Sequence, residues 1–402
     1  MTWMISAITV VGLLILIHEA GHFIVAKLCG VGVVRFAIGF GPTLIKFKYG
    51  ETEYSLGAIP LGGYVRMVGD MPDAITGKQA TDDVVRGDEV VIDVSDIPPE
   101  MLADKTKWFI EKTLFQRSSI VIAGPLFNLI SALLFVFFAI FIYGEDVPVK
   151  QPIIGSVMDD SPAQAGGVKT GDQVLTLNGK KITDWENLAQ TIHDGTGEPI
   201  SLRILRAGVE QTISVVPKAR MSHDASGAPK NVFLIGIEQD TDKVVAGLFR
   251  SMELSGLWVY NASIRTLTGL VGMATGNISP KEIAGPIFIF KAAGKQAEKG
   301  LESTLYFMAL LSVSLAVLNL LPIPILDGGH LFFFLVEAIF GPMSIRKKEF
   351  AQQVGLVFLL FLTCFAITND IRRPTESSRW QSMEVKDKPP AAENQTEEQQ
   401  TK

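Results

Sequence analysis

The chain reads as a polytopic α-helical membrane protein. It should have four transmembrane helices, a membrane-associated β-hairpin region on the cytoplasmic side and an extracytoplasmic α/β domain. Three observations predict this. Of 402 residues, 48 % are hydrophobic and 19 % charged, with a mean hydropathy of +0.30, whereas soluble domains carry about 25 % charged residues. Four windows, 1–17, 118–144, 303–326 and 351–369, hold no Asp, Glu, Lys or Arg. The segments between them carry ordinary charge and β-like runs. This hydrophobicity excludes a mostly disordered chain, and two cysteines exclude a disulfide scaffold. A net charge of −6 excludes the basic stripe of a nucleic-acid binder.

A spanning helix needs about 20 mostly apolar residues. The second and third windows, of 27 and 24 residues, pass easily, and the fourth, of 19, is just long enough. The first has 17 and reaches span length only by continuing through His18, Glu19 and His22 to about residue 28. Its first basic residue is Lys27, so it lacks the basic start of a signal peptide and is expected to be retained. The spans are therefore 1–28, 118–144, 303–330 and 351–369, with an interfacial segment at 331–350. Lys27, Arg35 and Lys46 follow span one, and Lys105, Lys107, Lys112 and Arg117 precede span two. Both clusters mark the cytoplasmic side and predict an outside N-terminus. Cys29 and Cys364 are not placed for an extracytoplasmic disulfide.

Cytoplasmic residues 29–117 begin with short β-like runs at 31–36, 43–48, 54–56 and 64–68, punctuated by glycines. The acidic, proline-containing stretch 70–104 reads as a long loop. Residues 151–218 alternate strands (153–157, 173–177, 200–206, 211–216) with a helical turn at 161–165 and a helix at 185–193. Asn178-Gly179 is a strong hairpin turn. Residues 219–302 lead back to the membrane, with amphipathic helices expected at 246–275 and 285–300. The tail, 371–402, is rich in Pro, Glu, Gln, Lys and Ser and is predicted to be disordered.

Span one ends in His18-Glu19-Ala20-Gly21-His22. On a helix, positions i and i+4 share a face, so both imidazoles can reach one metal ion while Glu19, about 100° round, stays out of the ligand set. Three ionisable side chains on a membrane helix are costly and point to function. A catalytic zinc takes three protein ligands and keeps one position open. Asp327 is the prime candidate for the third, at the end of span three in Asn319-Leu320-Leu321-Pro322-Ile323-Pro324-Ile325-Leu326-Asp327-Gly328-Gly329. The two prolines prevent a regular helix there, and Gly328 and Gly329 are expected to turn freely. His18 follows about 15 residues of span one, or roughly 22 Å of rise. Spans one and three run in the same direction, so His18 and Asp327 fall in the same half of the membrane. His330, three residues beyond Asp327, is a second possible ligand but reads first as an interfacial residue.

These residues closely resemble the site-2 protease family of intramembrane zinc metalloproteases, of the bacterial regulator of sigma-E protease type. The matches are HEAGH at 18–22, FAIGFGP at 36–42, GAIPLGGYVRM at 57–67, AGPLFN at 123–128 and NLLPIPILDGGH at 319–330, in the family's order. The resemblance implies Zn2+ ligation by His18, His22 and Asp327, Glu19 as general base, and an active site toward the cytoplasmic side of a bacterial inner membrane. It gives Asn319 and the hairpin residues Gly62, Gly63 and Tyr64 a substrate-holding role. Their plain alternatives are an inter-helix hydrogen bond and a structural hairpin. Asn128 reads as a helix-packing residue. Residues 151–218 resemble a bacterial PDZ domain, periplasmic and single where the familiar member of this type has two.

The implied activity is hydrolysis of peptide bonds in transmembrane segments of single-span membrane proteins, such as anti-sigma factors or remnant signal peptides. The implied partners are those substrates and the lipid bilayer, and the PDZ domain either takes a newly exposed peptide C-terminus or only excludes bulky substrates. Two other function classes compete: a catalytically silent PDZ membrane scaffold, and a metal transporter using intramembrane His and Asp. Intact Glu19 argues against the first. The charge-free second and fourth spans argue against the second.

Overall fold

The computed structural model describes residues 2–69, 84–87, 90–93, 98–223, 229–280 and 283–372. The predicted disorder from residue 373 onward and most of the predicted 70–104 loop lie outside them. The chain divides into two compact units: Met1–Tyr143 with Ala246–Arg372, and Gly144–Val245.

In the first unit, helix α1 (Thr2–Leu28) carries the HEAGH run within one uninterrupted helix. Strands β1 (Val33–Tyr49) and β2 (Thr52–Met67) follow. Arg35, Phe36, Ala37 and Ile38 pair on one side with Arg66, Val65, Tyr64 and Gly63, and on the other with Glu53, Tyr54, Ser55 and Leu56. Those last four pair in turn with Lys48, Phe47, Lys46 and Ile45. Two long strands thus act as four short ones, as the four predicted runs suggest. The bends fall where glycine is needed: Gly39 and Gly41 have φ of 81° and 84°. Residues 63–67 form an outer edge with no second strand beside them among the described residues. The described parts of 70–104 are not all loop. They contain strands β3 (Val84–Gly87) and β4 (Val90–Asp93), paired antiparallel, and a five-residue helix α2 (Pro99–Ala103). Helix α3 (Leu114–Tyr143) is the second apolar span.

The Gly144–Val245 unit contains β5 (Glu145–Pro148), β6 (Ile154–Val157), α4 (Pro162–Ala165), β7 (Gln173–Leu177), β8 (Lys180–Lys181), α5 (Trp185–His193), β9 (Ile200–Arg206), β10 (Val209–Val215), β11 (Lys218–His223), β12 (Pro229–Leu234), β13 (Ile237–Gln239) and β14 (Thr241–Val244). Its main sheet runs β10-β9-β7-β8. Alternating buried residues of β9 (Ile200, Leu202, Ile204) pack with Leu188 and Ile192 of α5, as the period-2 and period-3.6 patterns require. The unit is longer than 151–218. Strands β13 and β14 return to pair with β6 and β5, and Ile235 completes the core.

The chain re-enters the first unit with α6 (Leu248–Ala274) and α7 (Pro286–Glu298), close to the two expected amphipathic helices. Helices α8 (Leu301–Asn319), α9 (Asp327–Phe340) and α10 (Ile345–Arg372) complete it. Among the described residues, four helices are long and apolar enough to cross a membrane: Ala7–Leu28, Leu114–Tyr143, Leu301–Asn319 and Arg346–Arg372. Span three is therefore shorter than 303–330. It stops at Asn319, because Pro322 and Pro324 supply no N–H to continue it, and Asp327 opens α9 instead of ending the span. Arg117, in the first turn of α3, and Lys348, in the first turn of α10, both contact Glu337 of α9. The starts of those two spans therefore lie together.

Candidate metal centre

Helix α3 packs between α1 and α8, and the contact with α1 is close because the facing residues are small. A Cβ on Gly21 would lie 2.5 Å from the carbonyl oxygen of Ala123, and one on Gly124 would lie 2.2 Å from His22 Nε2. Small residues let membrane helices approach at this distance. His18, Glu19 and His22 are accordingly buried, at 8 %, 9 % and 8 % exposure, although their helix belongs to an apolar span.

Asp327 reaches the two histidines from the start of α9. Its Oδ2 is 3.2 Å from His18 Nε2 and its Oδ1 is 3.5 Å from His22 Nε2, while the two Nε2 atoms are 3.3 Å apart. The loop between α8 and α9 sets this position. Gly328 and Gly329 are not free turn residues. A Cβ on either would lie 2.3 or 2.2 Å from the carbonyl oxygens of Leu320 or Ile323. They allow the first turn of α9 to sit directly on the preceding loop.

The donor set fits a tetrahedral metal ion. Ligand atoms at the 2.0–2.1 Å of zinc–nitrogen and zinc–oxygen bonds stand about 3.3 Å apart in a tetrahedron. Each imidazole Nε2 has one Asp327 oxygen near that distance, Oδ2 for His18 and Oδ1 for His22, and the two Nε2 atoms are as close to each other. The charges agree as well: two imidazole nitrogens and a carboxylate face one another, and Asp327 Oδ2 is buried with no hydrogen-bond donor. Such a cluster suits a cation. Among the described residues, these three are the group of His, Cys, Asp or Glu side chains close enough to hold a metal ion. His330 is not in that group.

The outer contacts hold both imidazoles. His22 Nδ1 lies 2.8 Å from the carbonyl oxygen of Ile120 in α3, so Nδ1–H donates and Nε2 keeps its lone pair toward Asp327. His18 Nδ1 lies 3.0 Å from the fully buried amide of Asn128. A Nδ1–H on His18 requires Asn128 to turn its amide oxygen toward it, and that oxygen otherwise has no partner. Asn128 is therefore more than a packing residue. The oxygen of its own peptide group accepts from Ser131 and Ser312 at 2.9 and 2.8 Å, which ties α3 to α8. The available signal was positional: Asn128 lies one helical turn beyond Gly124, on the face that meets HEAGH.

The expected substrate-holding residues divide. Asn319, the last residue of α8, places Nδ2 3.4 Å from His18 Nε2. A Cβ on Gly63 would lie 2.7 Å from Glu19 Cγ, so the outer strand edge runs beside Glu19. Gly62 instead backs onto the Phe40 ring, with φ of 127°, and the Tyr64 hydroxyl is 3.5 Å from Arg35. Cys29 and Cys364 are both free.

The model of Peptidase family M50 matches residues 6–362 of the chain. The chain is similar to the zinc metalloprotease RasP of Geobacillus kaustophilus, with 31 % identity over 92 % of this chain and 97 % of the relative. It is similar to a putative zinc metalloprotease of Agrobacterium fabrum, with 34 % identity over 92 % and 95 %. A putative zinc metalloprotease of Mesorhizobium japonicum is 34 % identical over 90 % and 96 %.

Proposed function

The chain belongs to Peptidase family M50, and on that premise we propose that it is a zinc endopeptidase of the inner membrane that cuts transmembrane segments of single-span proteins. The observation that carries the reading is the convergence of Asp327 with His18 and His22, which a membrane-spanning helix carries, at separations near those of zinc ligands. These three residues hold Zn2+, whose chemistry is to polarise a scissile carbonyl and acidify water. Glu19 is the general base. It takes the proton of the attacking water and returns it to the leaving amine. Asn128 and the Ile120 carbonyl orient the two imidazoles.

A peptide bond inside a helix hides its carbonyl in a hydrogen bond, and unwinding it in lipid requires replacement partners. The outer edge at 63–67 supplies them. A substrate strand added there has backbone donors and acceptors to pair with, and the missing Cβ of Gly63 lets it approach Glu19. Asn319 offers amide donors and an acceptor at the same place. Gly62 and Tyr64 shape the edge from behind.

The N-terminus is outside and the Gly144–Val245 unit is periplasmic, as the basic clusters beside spans one and two imply. The adjacency of the starts of α3 and α10 puts those two ends on one side of the membrane. The periplasmic unit is a PDZ-type domain that binds the C-terminus of a shortened substrate. The substrates are anti-sigma factors or remnant signal peptides already cut on the outside.

The test uses purified full-length protein and a single-span substrate lacking its extracytoplasmic domain. Cleavage should stop with a chelator, return with zinc, and fall by about 10²–10⁴ in Glu19→Gln while bound zinc stays unchanged. Cleavage that survives chelation, or a wild-type rate in Glu19→Gln, rejects the reading. Zinc carried across a sealed membrane without proteolysis would select a transporter instead.

A further inference from the structure

Away from the metal centre, α3, α9 and α10 enclose a pocket lined by Phe109, Arg117, His330, Phe333, Lys348 and Gln352. Its charges do not balance. Arg117 donates to Glu337 at 2.7 Å, and Lys348 is 3.8 Å from the same carboxylate. Glu337 is the one carboxylate ion-paired with these two cations among the described residues. Lys348 and Gln352 are each only 7 % exposed. Two buried polar atoms have no partner, Arg117 Nε, a donor, and Gln352 Oε1, an acceptor. A surplus buried positive charge and unmade buried hydrogen bonds are both costly.

The position of the pocket says what would balance it. Arg117 and Lys348 lie in the first turns of two spanning helices, where charged sequence gives way to the charge-free windows beginning at 118 and 351. That boundary is the level of the lipid phosphates. Basic pockets between membrane helices take such groups, and the aromatic walls suit glycerol and acyl carbons. We propose that this pocket binds a phosphate group carried by an anionic phospholipid with a hydroxyl-bearing headgroup. The phosphate oxygens accept from Lys348 and Arg117 Nε, and a headgroup hydroxyl donates to Gln352 Oε1. The site does not depend on the zinc chemistry.

Full-length protein in detergent is titrated with phosphatidylglycerol, and bound lipid is counted by native mass spectrometry. Lys348→Gln should weaken binding about fivefold, the factor for one cation at a membrane surface. Glu337→Gln, which removes the competing carboxylate, should tighten it. Gln352→Leu should weaken phosphatidylglycerol more than phosphatidic acid, which lacks the glycerol hydroxyls. Inorganic phosphate at matched concentration should not displace the lipid. Opposite signs for Lys348→Gln and Glu337→Gln cannot come from misfolding. Equal binding in all variants, or weakening in both charge variants, overturns the site. Equal displacement by inorganic phosphate overturns the lipid as its occupant.

Discussion

Each unit of the molecule holds a carboxylate among close polar partners, one fully buried and one partly buried, and the two are finished differently. Asp172, in the Gly144–Val245 unit, is fully buried. Arg206 donates to both its oxygens at 2.7 Å, and the Lys169 N–H adds a third bond at 2.8 Å. The same pairing holds the Arg206 guanidinium above its ordinary pKa. Nothing is left over, so Asp172 acts as structure. Asp327, in the other unit, faces two imidazole nitrogens and keeps an oxygen with no donor. That oxygen and the two facing imidazole nitrogens form a donor set suited to a cation. A buried charge that is fully paired holds a fold together, and one that is incompletely paired marks where an ion belongs.

The comparison breaks most sharply at the two carboxylates themselves. Asp327→Ala should abolish bound zinc, measured by elemental analysis of the purified protein, and leave the Gly144–Val245 unit folded. Asp172→Ala should do the reverse. Zinc stays, and that unit loses about 1–3 kcal/mol, the cost of unmaking the hydrogen bonds at this site, read as lost amide-exchange protection. Zinc retained in Asp327→Ala would remove Asp327 from the ligand set. A smaller effect is expected at Asn128. Asn128→Ala leaves the ligands in place but frees the His18 ring, so zinc affinity should fall about 10–100-fold, as for other outer-shell partners of metal-binding histidines. Unchanged affinity would return Asn128 to helix packing. The smallest effect on the metal is expected at Asn319. Asn319→Ala should slow substrate turnover with zinc affinity and melting temperature near wild type. Loss of zinc in that variant would show that Asn319 supports His18 instead of the substrate.

Much of this site was legible along the chain. The pairing of His18 with His22 is a helical period, and it survives in any fold that keeps α1 helical. The four spans follow from charge-poor length, since charge is costly wherever the chain crosses a bilayer. The β-like runs between 31 and 68 were equally local, and all four recur in the sheet. The misreadings share a cause. Asn128 looks like an ordinary polar residue in a span until α1 is laid against α3, because its partner His18 is 110 residues away. Gly328 and Gly329 look like turn residues until the loop beneath them is in place. The Gly144–Val245 boundary could not be read from 151–218, because β13 and β14 return to strands about 80 to 100 residues earlier.

The opening imbalance, too little charge for the length, thus has two parts. The sequence by itself determined the solvent of each segment, the helix that bears the HEAGH motif and the residue types at the candidate metal site, because hydropathy and helical period are properties of neighbours. Only the tertiary structure decided that Asp327 begins a helix, that Asn128 and the Ile120 carbonyl hold the imbalanced imidazoles, and that the edge at 63–67 meets Glu19. Those contacts join segments distant along the chain, and close packing at Gly21, Gly124 and Gly63 makes them.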